Sequence, residues 1–307
     1  MNNKPLVSVI MPTYNDREEF LRLSIESILN QSYNNLELII ADDSTAVNSK
    51  NVIDEYAIKD SRIRVIRCKK RMGVCGALNK AIIVSKGDYI AHMDADDISL
   101  PDRLSTQMKC FTSDEIGVVG GQTYNINEVG SPIGEPTSFP LKKEQNARWL
   151  NKGIPQISHP TSIIKKKIFE EIGGYEELYR CSEDYDIWYR IHILGYGFVN
   201  VPQVVLQYRV HGDNAHVKFI VQQAKLCSIT RVKYVTGVFR RLTEQEFARL
   251  TNLVEQNKVC SFTIRYSTPD TLIARIVWNL HLYPTMQSLC LFLLKLRRKR
   301  LYKEVFG

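Results

Sequence analysis

The stretch Tyr89-Ile90-Ala91-His92-Met93-Asp94-Ala95-Asp96-Asp97 places an apolar segment directly before three carboxylates in four residues. Such carboxylates repel one another unless a positive group or water lies among them. On an extended chain, Asp94 and Asp96 point to the same side and can face one cation together. The alternative is a solvated acidic turn before a helix, with Asp97 or Ser99 as its N-cap. This stretch by itself leaves both interpretations open.

The same arrangement, an apolar run followed by polar residues, occurs twice upstream. A run at residues 6–11 leads to Pro12-Thr13-Tyr14-Asn15, where Pro12 is expected to stop the strand, and a run at residues 36–41 leads to Asp42-Asp43. Helical patterns lie between the runs, the first expected to be capped by Asp16 with Glu19. Regular alternation of this kind predicts a doubly wound, mostly parallel α/β sheet whose strand ends meet at one edge. The three polar segments should therefore converge on one site.

The composition is ordinary for a soluble globular protein, with 44% hydrophobic and 24% charged residues in a chain of 307. No signal peptide precedes the first strand pattern. The seven cysteines include no CxxC pair, which argues against a disulfide framework or a zinc site. These features favour a reducing, cytoplasmic location.

The charge is unevenly distributed along the chain. Residues 1–214 carry 25 Lys and Arg against 28 Asp and Glu, whereas residues 215–307 carry 16 against 5. This change predicts a first domain at 1–214 and a basic, mainly helical region at 215–307. An apolar stretch at 272–296, followed by four cations at 297–300, is too interrupted for a membrane-spanning helix. It could contact the inner face of the cell membrane peripherally, or pack on the first domain.

Six segments form a joint pattern: Val7-Ser8-Val9-Ile10-Met11-Pro12-Thr13-Tyr14-Asn15, Ala41-Asp42-Asp43-Ser44, Gly73 with Ala77 and Asn79, Met93-Asp94-Ala95-Asp96-Asp97, Gly173-Gly174-Tyr175, and Ser182-Glu183-Asp184-Tyr185-Asp186-Ile187-Trp188. In this order and spacing, residues 5–213 resemble family 2 glycosyltransferases with the GT-A fold, a Rossmann-like sheet flanked by helices. The resemblance implies inverting transfer of a hexose or N-acetylhexosamine from a nucleotide diphosphate, usually UDP. It also implies a Mg²⁺ or Mn²⁺ cofactor and a saccharide or lipid-linked acceptor in cell-surface polysaccharide synthesis.

The resemblance implies a role for each matching residue. The nucleotide would be bound by Pro12, Thr13, Tyr14, Asn15, Asp43, Asn79 and Asp94. Asp96 would hold the metal with Asp94 and His211, while His159 is a secondary candidate for the acceptor cleft. Structural alternatives stay open: an Asx turn at Asp42-Asp43-Ser44, a solvated helix face for Asn79, and a structural role for either histidine.

Asp184, with Glu183 beside it, is the implied base that removes the proton of the acceptor hydroxyl. Both acids could instead merely stabilise the N-terminus of a helix. The helix dipole would lower the pKa of Asp184, whereas burial in a cleft would raise it.

Two other classes of protein share some of these sequence features. A nucleotidyltransferase of related fold usually has a Gly-rich, basic loop after the first strand, and this chain has Pro12-Thr13-Tyr14-Asn15-Asp16 there. The basic C-terminal region could suggest a nucleic-acid-binding protein, but it lacks a recognised motif, and the acids at the sheet edge would repel phosphate. No nucleic-acid partner is expected.

Overall fold

The computed structural model describes residues 4–68, 70–151, 156–179, 181–212 and 240–255, together with residues 223, 226, 227, 229, 230 and 233. The strands are β1 (Val7–Thr13), β2 (Leu36–Asp42), β3 (Ile63–Arg67), β4 (Tyr89–His92), β5 (Ile98–Ser99), β6 (Ile116–Ile126), β7 (Pro132–Ile133), β8 (Ile163–Lys165) and β9 (Gly197–Arg209). The α-helices are α1 (Glu18–Leu29), α2 (Val47–Lys59), α3 (Gly73–Val84), α4 (Arg103–Met108), α5 (Lys143–Asn151), α6 (Lys166–Ile172), α7 (Glu183–Ile193) and α8 (Glu244–Glu255).

All described strands belong to one sheet with the order β3-β2-β1-β4-β8-β6-β9-β5, and β7 pairs with the far end of β6. The first four strands in this order are parallel, and so is the long β6–β9 pair. The antiparallel pairings are short. The predicted α/β fold with a mostly parallel sheet is therefore confirmed.

Alternation along the central strands explains why helices cover both faces of the sheet. Val9 and Met11 of β1 pack in one apolar cluster with α1 and α2, whereas Ile10 packs in the other with α3 and α7. Successive side chains of a strand point to opposite faces, so a continuous apolar run fills both cores. Each fully buried aliphatic side chain contributes about 1.5–3 kcal/mol.

Two expectations about the first strand and helix are wrong. β1 continues through Pro12, which pairs with Ala41 of β2. Pairing with β4 on the other side ends at Ile10, so the missing N–H of Pro12 breaks no bond there. Asp16 does not cap α1 either: Arg17 is the N-cap residue, without a side-chain bond. The carboxylate of Asp16 turns back to accept the Tyr14 N–H at 2.9 Å.

The described part of the C-terminal region packs on the first domain. Leu226, Ile229 and Leu250 are buried, and Lys233 lies 2.6 Å from Asp186 of α7. The Arg241 guanidinium donates to the Tyr175 carbonyl. No described helix has the length and apolar character needed to cross a membrane. The apolar stretch at 272–296 and the cations at 297–300 lie outside the described residues, so the boundary at 214 and the membrane contact stay predictions.

Candidate active site

The acidic residues after β4 converge through a turn. β4 ends at His92, and the chain turns at Asp94–Asp97, where the Asp97 N–H reaches the Asp94 carbonyl at 3.5 Å. The expectation of an extended chain at this point is therefore wrong. The turn nevertheless brings oxygens of Asp94, Asp96 and Asp97 within 4.8 Å of one another. Carboxylates so close together favour a bound cation or bound protons.

Asp97 is not the helix cap that the sequence suggested, and neither is Ser99. The next helix, α4, begins four residues after Ser99 and has Asp102 as its N-cap, because β5 occupies the intervening chain and pairs with β9. Asp97 is fully buried and accepts the Arg209 backbone N–H at 2.8 Å. Its other oxygen, Oδ2, has no hydrogen-bond partner among the described residues. The interpretation of a solvated acidic turn is therefore wrong for Asp97.

Two arginines that the sequence analysis missed lie next to the acidic turn. Arg209, at the end of β9, donates through Nε to the Asp96 carbonyl at 2.8 Å. Arg103 of α4 is fully buried and donates to the His92 carbonyl at 2.7 Å. Burial lowers the pKa of Arg103 to about 10, while Asp97 and Asp94 favour its charge. Neither arginine belongs to a recognisable motif, so only the fold reveals their positions.

Three carboxyl groups at this turn have raised pKa values, those of Asp94, Asp97 and Asp16. Burial raises the pKa of Asp94, and burial together with the charges of Asp96 and Asp94 raises that of Asp97 well above its usual value. Asp16, which sequence reasoning treated only as a cap, joins the cluster: burial and Asp96 raise its pKa to about 6. Excess negative charge in a poorly solvated site is what a divalent cation would neutralise.

His211 meets Asp96 at this site, although 115 residues separate them. Its Nε2 lies 2.8 Å from Asp96 Oδ2, and its ring packs against Phe20. The side chains of Asp94 and Asp96 remain 35% and 20% exposed, so a ligand can reach them. These carboxylates, the unpartnered Asp97 oxygen and the imidazole form a donor set that fits Mg²⁺ or Mn²⁺.

The residues expected to bind a nucleotide line the neighbouring strand ends. Asn15 adopts a left-handed conformation with φ of 56°, and its Oδ1 accepts the Thr45 and Ala46 N–H groups at 2.8 Å. Tyr14 is exposed, with the Arg71 guanidinium 4.1 Å from its ring centroid. Thr13 is buried and Pro12 partly buried within β1. The loops after β1 and β2 are thus joined at the predicted pocket.

The Asx turn that the sequence left open forms at Asp42, whose Oδ1 accepts the Ser44 N–H at 2.9 Å. Asp43 instead accepts the Met72 and Gly73 N–H groups at 2.9–3.0 Å, at the N-terminus of α3. The partial positive charge of a helix N-terminus favours a carboxylate there. A contact between Asp43 and a base stays a prediction.

Asn79 joins α3 to the Gly173-Gly174-Tyr175 segment. Its amide accepts the Tyr175 N–H at 2.7 Å and donates to the Tyr175 carbonyl at 3.0 Å. These contacts give Asn79 a structural role. Neither of them supports its predicted role in nucleotide binding, which stays a prediction.

Glu183 and Asp184 lie in the first turn of α7. Glu183 accepts the Ser182 N–H at 3.0 Å, and Asp184 accepts the Tyr185 N–H at 2.8 Å. Burial and the adjacent Asp184 raise the pKa of Glu183 to about 7, and burial raises that of Asp184. Burial therefore outweighs the backbone hydrogen bonds, which lower the pKa values of both groups. The charge of Asp94 raises the pKa values of both groups further.

Comparison with known proteins agrees with this site. The model of glycosyl transferase family 2 matches residues 8–173. A glycosyltransferase of Methanocaldococcus jannaschii is 35% identical over 233 residues, 75% of this chain and 79% of the relative. The O-antigen biosynthesis glycosyltransferase WbnJ of Escherichia coli is 33% identical, over 68% of this chain and 81% of WbnJ. The chain therefore belongs to glycosyl transferase family 2, and the nucleotidyltransferase and nucleic-acid alternatives are set aside.

Solved structures show the same fold. S. aureus TarS in complex with UDP aligns with a TM-score of 0.57 at 15% identity, over 84% of this chain and 89% of that one. The mannosyltransferase PcManGT of Pyrobaculum calidifontis, in complex with GDP-Man and Mn²⁺, aligns with a TM-score of 0.55 at 16% identity, over 94% and 83%. The sheet and its helices are thus those of GT-A glycosyltransferases.

Proposed function

We propose that this protein is an inverting glycosyltransferase that moves a sugar from a nucleotide-diphosphate donor, most readily a UDP-sugar, to a hydroxyl of a saccharide or lipid-linked acceptor. One observation carries the proposal: the turn at Asp94–Asp97 gathers three carboxyl groups, and the charge of Asp94 raises the pKa values of Glu183 and Asp184. One group of acids can serve the leaving diphosphate and the other the attacking hydroxyl.

Asp184 is the proposed general base. An attacking hydroxyl must lose its proton as its oxygen bonds to the anomeric carbon, and a single displacement inverts that carbon. Burial raises the pKa of Asp184, which makes its carboxylate a stronger base than an ordinary one. The charge of Asp184 in turn raises the pKa of the adjacent acid Glu183.

Asp96, Asp94 and His211 are the proposed metal ligands, and Asp43, Tyr14 and Arg71 line the proposed nucleotide pocket. When bound, Mg²⁺ or Mn²⁺ supplies stabilisation of the negative charge that develops on the departing diphosphate. Arg209 holds the turn through the Asp96 carbonyl and the Asp97 carboxyl group, and Arg103 holds the preceding chain through the His92 carbonyl.

The acceptor class is proposed from two features. WbnJ acts in O-antigen biosynthesis, as its name states, and is 33% identical to this chain. The basic region at 215–307 suits a protein that works at the inner face of a cell membrane on lipid-linked substrates. We therefore propose a role in cell-surface polysaccharide synthesis.

A donor panel with two variants tests this function. UDP-, GDP- and dTDP-sugars are assayed with the full chain for Mn²⁺-dependent hydrolysis or binding, and UDP-sugars should give the strongest signal. Asp184→Asn should lower transfer by a factor of about 10²–10⁴, the usual contribution of a general base, while UDP–Mn²⁺ affinity stays within about threefold of wild type. Glu183→Gln, its matched neighbour, should retain more activity. Loss of both transfer and UDP binding in Asp184→Asn would assign that residue a structural role instead.

A further inference from the structure

A pair of stacked histidines lies directly behind the acidic turn. The rings of His92 and His159, here called the histidine stack, are nearly parallel at 17°, with centroids 3.9 Å apart. His92 is at the end of β4, and His159 belongs to the short 3₁₀ turn His159–Thr161. The mechanism above uses neither ring. Two imidazoles in face-to-face contact at such a place call for an explanation beyond simple packing.

The first ring contacts the acidic turn itself. His92 Nε2 lies 2.9 Å from Asp94 Oδ1, while its Nδ1 has no hydrogen-bond partner among the described residues. As a metal ligand Asp94 is ionised, and an ionised carboxylate only accepts hydrogen bonds, so His92 donates through Nε2 in this contact. His92 thereby orients the carboxylate of Asp94. The other lone pairs of this carboxylate remain available to a ligand.

The second ring contacts the elements on the opposite side of the site. His159 Nε2 lies 2.9 Å from the Tyr175 hydroxyl, and its ring meets Trp188 edge-on at 5.7 Å. Trp188 is on α7, whose first turn contains Glu183 and Asp184. A continuous set of contacts therefore runs from Asp94 through both histidines to the helix that carries the proposed base.

We propose that the histidine stack positions Asp94 and helix α7 relative to each other, so that the leaving-group side and the attacking side of the site keep a fixed geometry. This inference rests on the proposed function, since it assigns His92 and His159 as positioning residues for that reaction. The partners that orient the ligands of a metal site typically contribute a factor of 10–100 in metal affinity or activity. Packing without a positioning role would affect stability alone.

Two substitutions of His92 separate the hydrogen bond from the volume of the side chain. His92→Gln can keep an N–H near the position of Nε2, whereas His92→Leu cannot donate. Mn²⁺ affinity is measured by electron paramagnetic resonance of free Mn²⁺ at saturating UDP. We expect His92→Leu to weaken Mn²⁺ affinity by about 10–100-fold. His92→Gln should weaken this affinity by a clearly smaller factor.

His159→Leu tests the stack without touching an acidic residue. It should weaken Mn²⁺ affinity at saturating UDP by about tenfold or more and lower kcat for transfer. The matched control is Phe198→Leu, because the Phe198 ring packs against Trp188 at 5.9 Å and, among the described residues, is paired with neither histidine ring. Phe198→Leu should lower Tm while leaving Mn²⁺ affinity at the wild-type value.

The outcomes distinguish this inference from the proposed function. If wild-type protein fails to bind Mn²⁺ and UDP together, both are overturned. If wild type binds them and His92→Leu and His159→Leu bind equally well, only the positioning role is overturned, even where Tm falls. If Phe198→Leu weakens Mn²⁺ affinity as much as the histidine substitutions do, the positioning role is likewise overturned, and the histidines contribute only to core packing.

Discussion

Replacement of Lys233 by methionine tests whether a buried ion pair fastens the C-terminal region to the base-carrying helix. The Lys233 ammonium lies 2.6 Å from Asp186 of α7 and 3.9 Å from Glu176, and the side chains of Lys233 and Asp186 are 2% and 1% exposed. Burial opposes ionisation of Asp186, but Arg190 and Lys233 together hold its pKa below the usual value. Lys233→Met removes one of these two cations and nearly preserves the volume of the side chain.

The expected loss follows from how the pair is buried. Removal of one partner of a buried ion pair typically costs about 3–5 kcal/mol, because the other charge is left in a poorly solvated place. Asp186 keeps its bond to Arg190 at 2.7 Å, so the lower end, about 3 kcal/mol, is the appropriate value here. For a domain of roughly 150–250 residues this corresponds to a fall in Tm of about 6–12 °C.

The assay is thermal unfolding at pH 7.5, followed by circular dichroism, with Lys59→Met as the matched control. Lys59 pairs with Glu55 at 2.6 Å, but the two side chains are 63% and 37% exposed. Exposed pairs contribute less than about 1 kcal/mol, so Lys59→Met should hardly change Tm. If the two variants unfold at the same temperature, the buried pair does not hold the C-terminal region in place.

Three further predictions concern the site and the membrane. Asp96→Ala should abolish Mn²⁺-dependent UDP binding in calorimetry, and undiminished affinity would refute its assignment as a ligand. Activity should fall on acidification at a higher pH than an ordinary aspartate would cause, because burial raises the pKa of Asp184 and the base must lack its proton; a pH–rate profile that stays flat down to about pH 4 would contradict the assignment. Replacement of Arg297, Arg298, Lys299 and Arg300 by serine should reduce flotation with anionic vesicles, at about 1 kcal/mol per cation; equal flotation would exclude a membrane role for these cations.

Much of the architecture could be predicted because it depends on local patterns. The apolar runs that form β1, β2 and β4 recur with helical patterns between them, and such alternation is compatible with few folds besides a doubly wound sheet. The convergence of their carboxyl ends follows from the parallel arrangement, so the location of the site could also be predicted. The contact between His211 and Asp96 was implied only by the resemblance to a family, because no local pattern links residues 115 positions apart.

The sequence by itself determined the alternation of strands and helices in the first half, the edge that carries the site and the acids that could serve it. Only the tertiary structure decided what those acids do: Asp97 is buried against Arg209, Asp43 receives the N-terminus of α3, and Asp16 joins the cluster. The physical reason is that a carboxyl group's pKa and partners depend on burial and on charges contributed by distant segments. Burial thus outweighs the backbone hydrogen bonds that lower the pKa of Asp184, a balance that no pattern along the chain contains.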